Sequence, residues 1–141
     1  MCSMDTLSIN LKPVVKSDIR FLYNQLKERD STVNISHKKM PTYAEHSKFI
    51  LSNPYSKWYI IMNKNKKIGN IYLTKTNEIG IFILKSNENK GIGKIVLEKI
   101  IKMNPHPRYL ANVNPKNKKS LNFFKKNGFK LIQYTYELTL D

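Results

Sequence analysis

The chain has 141 residues and carries 25 Lys and Arg against 10 Asp and Glu, which gives a formal net charge of +15. At this length we expect one domain, residues 1–141, that buries roughly 68–70% of its unfolded surface and needs neither disulfides nor metals to fold. The single cysteine excludes a disulfide framework and a cysteine-based zinc site, and 40% hydrophobic residues exclude an intrinsically disordered chain.

The first half of the chain predicts two helices among four strands. Apolar residues at helical spacing behind Ser17, the expected N-cap, indicate a helix to about Arg29. Thr42 and Glu45 have the spacing of a capping box for a second helix, which we expect to end near Leu51. The predicted strands are residues 8–15, 57–62, 67–74 and 78–84, and the last three form a β-meander.

The second half predicts two helices and three further strands. A polar loop at residues 86–94 leads into an amphipathic helix that ends at a proline-rich segment. A later helix should span residues 117–126, with Gly128 as its left-handed C′ residue and Phe129 in contact with Phe124. The predicted strands are residues 109–113, 130–133 and 135–140.

The loop before the third predicted helix has the chemistry of a phosphate site. Gly91 and Gly93 have no Cβ, so backbone N–H groups can turn toward one oxyanion, and the helix dipole adds roughly half a positive charge. Lys90 and Lys94 would add full charges. The loop is neither a Rossmann fingerprint nor a P-loop. By itself it is equally compatible with a tight connection that binds nothing.

Two motifs together resemble the GCN5-related N-acetyltransferase (GNAT) family. The run Glu88-Asn89-Lys90-Gly91-Ile92-Gly93 is similar to the family's pyrophosphate loop, Q/R-x-x-G-x-G/A. Residues 114–120 and 128–129 are similar to its N-P-x-N-x-x-S run and G-F pair. The resemblance implies a GNAT-type α/β (α+β) fold, with a mixed, bent sheet of about six to seven strands and about four helices, which splays after the fourth strand.

The resemblance implies acetyl-CoA as cosubstrate and no metal. Its pantetheine arm would pair with the backbone of the fourth predicted strand, and the loop amides would hold the pyrophosphate. Asn117 would contact the cofactor through its amide, with a plain helix N-cap as the alternative. Glu88 departs from the family's Gln or Arg, and a carboxylate beside a pyrophosphate is unfavourable unless it turns away. The implied cofactor-binding residues are Ile81, Phe82, Ile83, Leu84, Asn89, Lys90, Gly91, Ile92, Gly93, Lys94, Asn117 and Phe124.

Acetyl transfer to an amine needs a deprotonated amine, a polarised carbonyl and a proton for the leaving thiolate. The resemblance implies Glu78 as the general base, and an ordinary polar residue at the start of a strand is the alternative. Phe124 stands where the family commonly has a tyrosine that acts as the general acid, so the usual proton donor is absent. Water, Tyr134 or Tyr72 would have to serve, although both tyrosines are also compatible with core positions.

His37 and His46 are the candidate acceptor-binding residues, because they lie where the family builds its acceptor site. A solvent-facing or buried structural histidine is the alternative for each. Residues 37–49 look somewhat like acetyltransferases of bacterial amino-sugar nucleotides. We therefore expect an acetyl-CoA-dependent N-acetyltransferase that acts on a primary amine of a small molecule. The alternatives are a protein or peptide N-acetyltransferase, a non-catalytic acetyl-CoA-binding domain and a basic nucleic-acid-binding domain.

The positive charge fits a cofactor better than a nucleic acid. Only Arg20, Arg29 and Arg108 are arginines, whereas readers of bases and phosphates favour arginine. The part after Leu84 has 12 basic and 4 acidic residues, net +8, against 13 and 6, net +7, before it. The denser part contains the lysines that could meet the phosphates of coenzyme A.

The sequence also bears on location and assembly. No apolar run approaches the ~20 residues of a membrane span, and residues 1–11 lack the pattern of a signal peptide. We therefore expect a cytoplasmic protein without a membrane partner. The resemblance allows a homodimer, but no segment of the sequence argues for one.

Overall fold

The computed structural model describes residues 7–29 and 40–140, and four antiparallel strands form its central sheet. In the sheet, Lys57 lies opposite Leu73, and Gly69 lies opposite Ile83. The first four predicted strands are confirmed, with ends shifted by at most two residues. The strands lie side by side in chain order, as β1 (Ile9–Pro13), β2 (Lys57–Asn63), β3 (Lys66–Leu73) and β4 (Ile79–Ile83).

Four helices flank the sheet, as expected. Because side chains alternate along a strand, β2 contributes to a core on each face: Ile60 packs with the first two helices and Ile61 with the third. None of the helices in the described ranges has the length and hydrophobicity that a membrane span requires. The helices are α1 (Ile19–Glu28), α2 (Tyr43–Leu51), α3 (Ile92–Met103) and α4 (Lys118–Lys126).

Two predicted helix caps are confirmed in detail. The Glu45 N–H donates to Thr42 Oγ1 at 3.1 Å, and the Thr42 N–H donates to Glu45 Oε1 at 2.8 Å, which completes the capping box of α2. At the end of α4, Gly128 has φ +91° and the Phe129 N–H donates to the Phe124 carbonyl at 2.9 Å. The rings of Phe124 and Phe129 lie 5.0 Å apart. This is the expected Schellman ending.

Among the described residues, the last three predicted strands are not part of the sheet, which has four antiparallel strands rather than the six to seven strands of the expected mixed sheet. Residues 109–113 contribute one parallel bridge, between Leu110 and Glu78. Residues 130–133 and 135–140 form no strand pair in the described chain. A ladder needs a neighbouring edge within hydrogen-bonding reach, and every residue from 130 to 140 is exposed instead.

A buried carboxylate ties the start of α1 to the sheet. Ser17 is not the N-cap, because Asp18 directly precedes α1. The fully buried Asp18 accepts hydrogen bonds from Lys67 Nζ at 2.6 Å and from the Val15 N–H at 2.8 Å, and Lys12 Nζ lies 3.7 Å away. Burial by itself raises the pKa of Asp18, but the two hydrogen bonds and the charges of Lys67 and Lys12 outweigh it. The pKa therefore lies below its ordinary value.

We expect Lys67→Met to lower the free energy of unfolding by about 3 kcal/mol, because it leaves the buried Asp18 carboxylate uncompensated. Lys12→Met is the control, and its exposed, longer contact should cost about 0.5 kcal/mol or less. Urea unfolding measures both values. Equal losses for the two variants would contradict this account.

The Asp18 carboxylate also predicts that the stability of the protein falls at acid pH. Because the pKa of Asp18 is lowered in the folded state, its stabilisation is fully present above the unfolded pKa of about 3.9 and is lost as the pH falls through the folded pKa. Asp18→Asn should therefore flatten the loss of stability between about pH 5 and about pH 2. An acid limb as steep as the parent's would contradict the assignment.

Candidate functional site

Backbone pairing between β4 and residues 109–113 ends after one bridge, and we call the space beyond that bridge the gap. The Ile79 N–H donates to the Leu110 carbonyl at 2.8 Å, and no later pair of these two segments is bonded in the described chain. Because backbone groups alternate along a strand, those of Ile81 and Ile83 also point into the gap. Leu84 points the other way, since its N–H donates to Ile68 at 2.8 Å. Two of the four predicted strand residues therefore present their backbone to the gap.

The glycine loop beside this gap is shaped for an anion. Asn89 and Gly91 have φ values of +64° and +75°, and Gly91 is the N-cap of α3. No side chain of the described residues caps this helix start, so its first N–H groups remain available. A Cβ on Gly91 would have nothing within 4 Å, so this glycine serves the backbone conformation. Lys90 in the loop and Lys94 in the first turn of α3 are exposed.

The loop and the start of α4 lie together, as the two sequence motifs imply. Lys119 Nζ donates to Glu88 Oε1 at 3.1 Å, so the unusual carboxylate is paired with α4. A Cβ on Gly93 would come within 2.9 Å of the Phe123 ring, which packs against the start of α3. Contact between these elements therefore depends on the absence of a side chain at Gly93.

Two predicted cofactor residues have structural partners on α4. The Ser120 N–H donates to Asn117 Oδ1 at 3.2 Å, so Asn117 is the N-cap of α4 and only its amide nitrogen is left for a ligand. Phe124 is half-buried between Phe123 and Phe129, at ring distances of 5.1 and 5.0 Å. Cofactor contact by Asn117 and Phe124 stays a prediction.

A group of aromatic side chains covers one face of β4. The Tyr72 ring occupies the space where a side chain on Gly80 would lie. Tyr55 stacks on Tyr72 with ring centroids 3.9 Å apart, and Tyr72 lies 6.1 Å from Phe82. The Arg29 guanidinium carbon lies 3.6 Å above the centroid of the Phe82 ring, a cation–π contact. We call these five residues the aromatic site.

The aromatic site holds a half-buried positive charge. Burial lowers the pKa of Arg29, while Tyr72 and Tyr55 act in the opposite direction, and a guanidinium remains protonated at any physiological pH. Arg29 Nε is buried and has no hydrogen-bond partner among the described residues. A buried donor without a partner is rare in proteins, so this guanidinium has unused capacity for an acceptor atom.

Glu78 and Tyr72 are electrostatically connected. Burial raises the pKa of Tyr72, Arg29 and a hydrogen bond with Tyr55 oppose this effect, and the charge of Glu78 adds to it. Tyr72 is therefore a neutral phenol at neutral pH. Glu78 is half-buried beside the opening of the gap, and its N–H donates to Thr74 Oγ1 at 2.9 Å. The charge of the predicted base therefore acts on one of the two candidate acids.

A chain of buried side-chain amides positions this site. Gln25 Nε2 donates to the Phe82 carbonyl at 2.8 Å, and Asn70 Nδ2 donates to Gln25 Oε1 at 2.7 Å. Trp58 Nε1 then donates to Asn70 Oδ1 at 3.0 Å. Gln25 and Arg29 are four positions apart at the end of α1, so both side chains reach the same part of β4.

The other predicted site residues lie elsewhere. His46 is buried between Tyr23 and Phe49, with ring centroids at 5.7 and 6.0 Å, which favours its structural interpretation. His37 lies outside the described residues. Tyr134, the second candidate acid, lies in the terminal segment and is 74% exposed.

Sequence reasoning missed most of the aromatic site and its amide chain. Gly80 has a usable signal, because an isolated glycine inside a strand indicates a close approach of another group. Asn70 is also recognisable as a polar residue inside an apolar strand. Gln25, Arg29 and Tyr55 have no signal in their spacing. Gln25 and Arg29 reach the site through the packing of α1 on the sheet, and Tyr55 reaches it from the connection between α2 and β2.

Comparisons with known proteins agree with this geometry. A family model of the acetyltransferase (GNAT) domain matches residues 8–130. The peptidyl-lysine N-acetyltransferase YjaB of Salmonella typhimurium is 30% identical over 74 residues, which are 52% of this chain and 50% of that protein. This chain therefore spans about half the length of the curated relatives it matches.

Solved structures show the same fold. A domain from Methanocaldococcus jannaschii has a TM-score of 0.79 at 20% identity and covers 93% of this chain and 94% of its own. RimL, a ribosomal L7/L12 α-N-protein acetyltransferase solved in complex with coenzyme A, has a TM-score of 0.72 at 17% identity. That match covers 92% of this chain and 83% of RimL.

Gly91→Ala should weaken the binding of acetyl-CoA about tenfold, because a left-handed alanine costs roughly 1–2 kcal/mol and shifts the loop amides. Gly128→Ala is a matched control, since Gly128 is also left-handed and also has nothing within 4 Å. It should lose similar thermal stability and keep the parent's affinity. Isothermal titration calorimetry and thermal unfolding measure the two quantities. Equal affinities for both variants would contradict a role of the loop.

Proposed function

The chain belongs to the GNAT family of acetyltransferases, and we propose that it transfers an acetyl group from acetyl-CoA to a primary amine of a small, anionic molecule. Arg29 supports the proposal of an anionic acceptor, because its guanidinium lies over the Phe82 ring and its buried Nε has no hydrogen-bond partner among the described residues. Arginine suits a phosphate or carboxylate particularly well. Amino-sugar nucleotides combine such groups with an amine and are our leading acceptor class.

Peptidyl-lysine is the second candidate acceptor, because it is the substrate named for the Salmonella relative. A lysine side chain brings no negative charge of its own to Arg29. The aromatic site would then hold its aliphatic stem, and an anion would have to come from a neighbouring residue of the peptide.

We propose the gap and the glycine loop as the acetyl-CoA site. The residues fit this group, because Ile81 and Ile83 offer backbone groups to an extended arm and the start of α3 offers uncapped N–H groups to a phosphate. Lys90 and Lys94 add positive charge, whereas Lys119 is already paired with Glu88. When bound, acetyl-CoA supplies the activated acetyl group.

In the proposed mechanism, three tasks are divided among Glu78 before β4, Ile83 at the end of β4 and Tyr72 on the neighbouring β3. Glu78 accepts a proton from the acceptor ammonium, directly or through one water, and leaves a nucleophilic amine. The Ile83 N–H faces the gap and stabilises negative charge on the acetyl oxygen. Tyr72, which is neutral at neutral pH because burial raises its pKa, is the proposed proton donor to the leaving thiolate.

Glu78→Gln should keep acetyl-CoA affinity and lose kcat by roughly 10²–10⁴-fold, because the amide cannot accept the proton. The rise of kcat with pH in the parent should also disappear. Glu98→Gln on the exposed side of α3 is the control and should change neither quantity. A Glu78→Gln enzyme with the parent's kcat and pH–rate profile would rule out this base.

Arg29→Met should raise the KM for a nucleotide-linked amino sugar by roughly 10–100-fold, because it removes the half-buried cation that pairs with the anion. The KM for acetyl-CoA should stay unchanged. Arg20→Met is a matched control, since Arg20 also stacks on a ring, at 4.0 Å from the Tyr43 centroid, but on the exposed part of α1.

The assay follows thiol release with a nucleotide-linked amino sugar, its free amino sugar, spermidine and a lysine peptide. Preference for spermidine or the peptide, with no effect of Arg29→Met, would refute the anionic acceptor and leave acetyl transfer intact. Acetyl-CoA binding without turnover of any amine would refute the enzyme and identify an acetyl-CoA-binding domain.

A further inference from the structure

The buried amide chain connects α1 with the sheet and ends at a backbone carbonyl of β4. Trp58 Nε1 donates to Asn70 Oδ1, Asn70 Nδ2 donates to Gln25 Oε1, and Gln25 Nε2 donates to the Phe82 carbonyl, all within 2.7–3.0 Å. Asn70 and Gln25 are only 3% and 4% exposed, so their hydrogen bonds are shielded from water. In such surroundings a hydrogen bond is electrostatically stronger than in water.

The donors of this chain all point toward β4. An indole N–H can only donate, so the oxygen of Asn70 must face Trp58 and its NH₂ group must face Gln25. A backbone carbonyl can only accept, so the NH₂ group of Gln25 must face Phe82. The two ends of the chain therefore require the same orientation of both amides, and a flip of either amide would break the bonds.

The chain continues through the backbone of β4. The Phe82 carbonyl and the Ile83 N–H belong to one peptide group, which is trans, so they point in opposite directions. The carbonyl points toward Gln25 and the N–H into the gap. A donor to the carbonyl draws electron density from the peptide group, and each bond of such a chain strengthens the next by roughly 10–30%. The Ile83 N–H is thus the last donor of the chain.

Strand β3 leaves room for this arrangement at Gly69. Gly69 lies opposite Ile83 in the sheet, and a Cβ on Gly69 would collide with the Phe82 carbonyl oxygen. A glycine inside a strand weakens the strand and marks a close approach of another group, here the β4 backbone. The carbonyl can therefore keep the position in which Gln25 reaches it.

A row of dipoles with its positive end toward the gap has a use in acetyl transfer. Negative charge develops on the acetyl oxygen when an amine attacks the thioester, and preorganised dipoles aimed at that oxygen lower the barrier. Neutral amides supply this field without the desolvation cost of a buried charge. Because their hydrogen bonds are already formed, they need no reorientation during the reaction.

We propose that Trp58, Asn70 and Gln25 are positioning residues that orient and polarise the Ile83 N–H as a donor to the acetyl oxygen. This inference rests on the proposed acetyl transfer, and it adds residues that act on the reaction only through the peptide group between Phe82 and Ile83. A chain that only held α1 on the sheet would contribute to stability and leave the carbonyl of bound acetyl-CoA unchanged.

The first experiment measures that carbonyl in the absence of an acceptor. Infrared difference spectra compare unlabelled and carbonyl-¹³C-labelled acetyl-CoA bound to the full chain. In the parent, we expect the thioester carbonyl frequency to lie below that of free acetyl-CoA, because a hydrogen bond weakens the C=O bond. Gln25→Met should reverse most of this shift. Trp58→Phe should reverse a smaller part, since Trp58 lies farther along the chain from the peptide group.

The same variants should separate kcat from KM. We expect kcat to fall about tenfold in Gln25→Met and about threefold in Trp58→Phe, because the oxyanion donor is weakened and not removed. The KM for acetyl-CoA should stay within about threefold of the parent's. Trp58→Phe leaves both amides in place, so it tests the chain even if Gln25→Met does not fold.

Tyr59→Phe is the matched control. It removes the hydroxyl that accepts from the buried Asn104 Nδ2 at 3.3 Å, so it also breaks one hydrogen bond of a buried amide. That amide donates in addition to the Ile100 carbonyl of α3 and not to β4. The carbonyl frequency and the kcat of this variant should therefore equal the parent's.

A second readout needs no ligand. In ¹⁵N-labelled protein, the chemical shift of the Ile83 amide nitrogen reports hydrogen bonding at the Phe82 carbonyl, so Gln25→Met should move it upfield and Tyr59→Phe should not. An unchanged Ile83 shift and carbonyl frequency in the folded variants would overturn the role of the amide chain and leave acetyl transfer intact. A parent that does not bind acetyl-CoA would overturn the proposed function, and this role with it.

Discussion

The aromatic site depends on the buried amide chain that runs from Trp58 through Asn70 and Gln25 to the Phe82 carbonyl. Each amide in this chain both donates and accepts, so the network is satisfied and fixes one geometry. Sliding α1 along β4 would leave a buried amide unpaired, which costs about 1–3 kcal/mol. Arg29 stays above Phe82 because this chain holds the last turn of α1 in place.

Glycines shape the candidate site in two different ways. Gly80 and Gly93 make space, the first for the Tyr72 ring and the second for Phe123. Gly91 instead supplies a left-handed backbone conformation at the start of α3. The glycine loop follows β4 in the chain, whereas the aromatic site covers a face of the strand. A charged ligand part and an acceptor can approach the same strand from separate directions.

The features that could be predicted from the sequence were those determined by contacts between residues close together in the chain. The capping box at Thr42, the Schellman ending at Gly128 and the four strands of the sheet were predictable, because spacing over a few residues determines them. Ser17 was wrong as a cap, because it lies inside a 3₁₀ turn, Lys16–Asp18, in which the Val15 N–H donates to Asp18. The predicted strands at residues 130–140 failed within one chain because a strand is defined by its neighbour. Most of the aromatic site was missed for the same reason.

The gap and α4 are physically linked through residues 109–113. A gap that can admit a ligand requires this segment to leave β4 after Leu110, and the segment thereby loses the backbone bonds that would otherwise hold its inner edge. Its position must then come from the helix that follows. Phe123 on α4 packs against the same core as Tyr109. The start of α4 also contacts the glycine loop, because Lys119 Nζ donates to Glu88 Oε1. One helix therefore supports both sides of the proposed acetyl-CoA site.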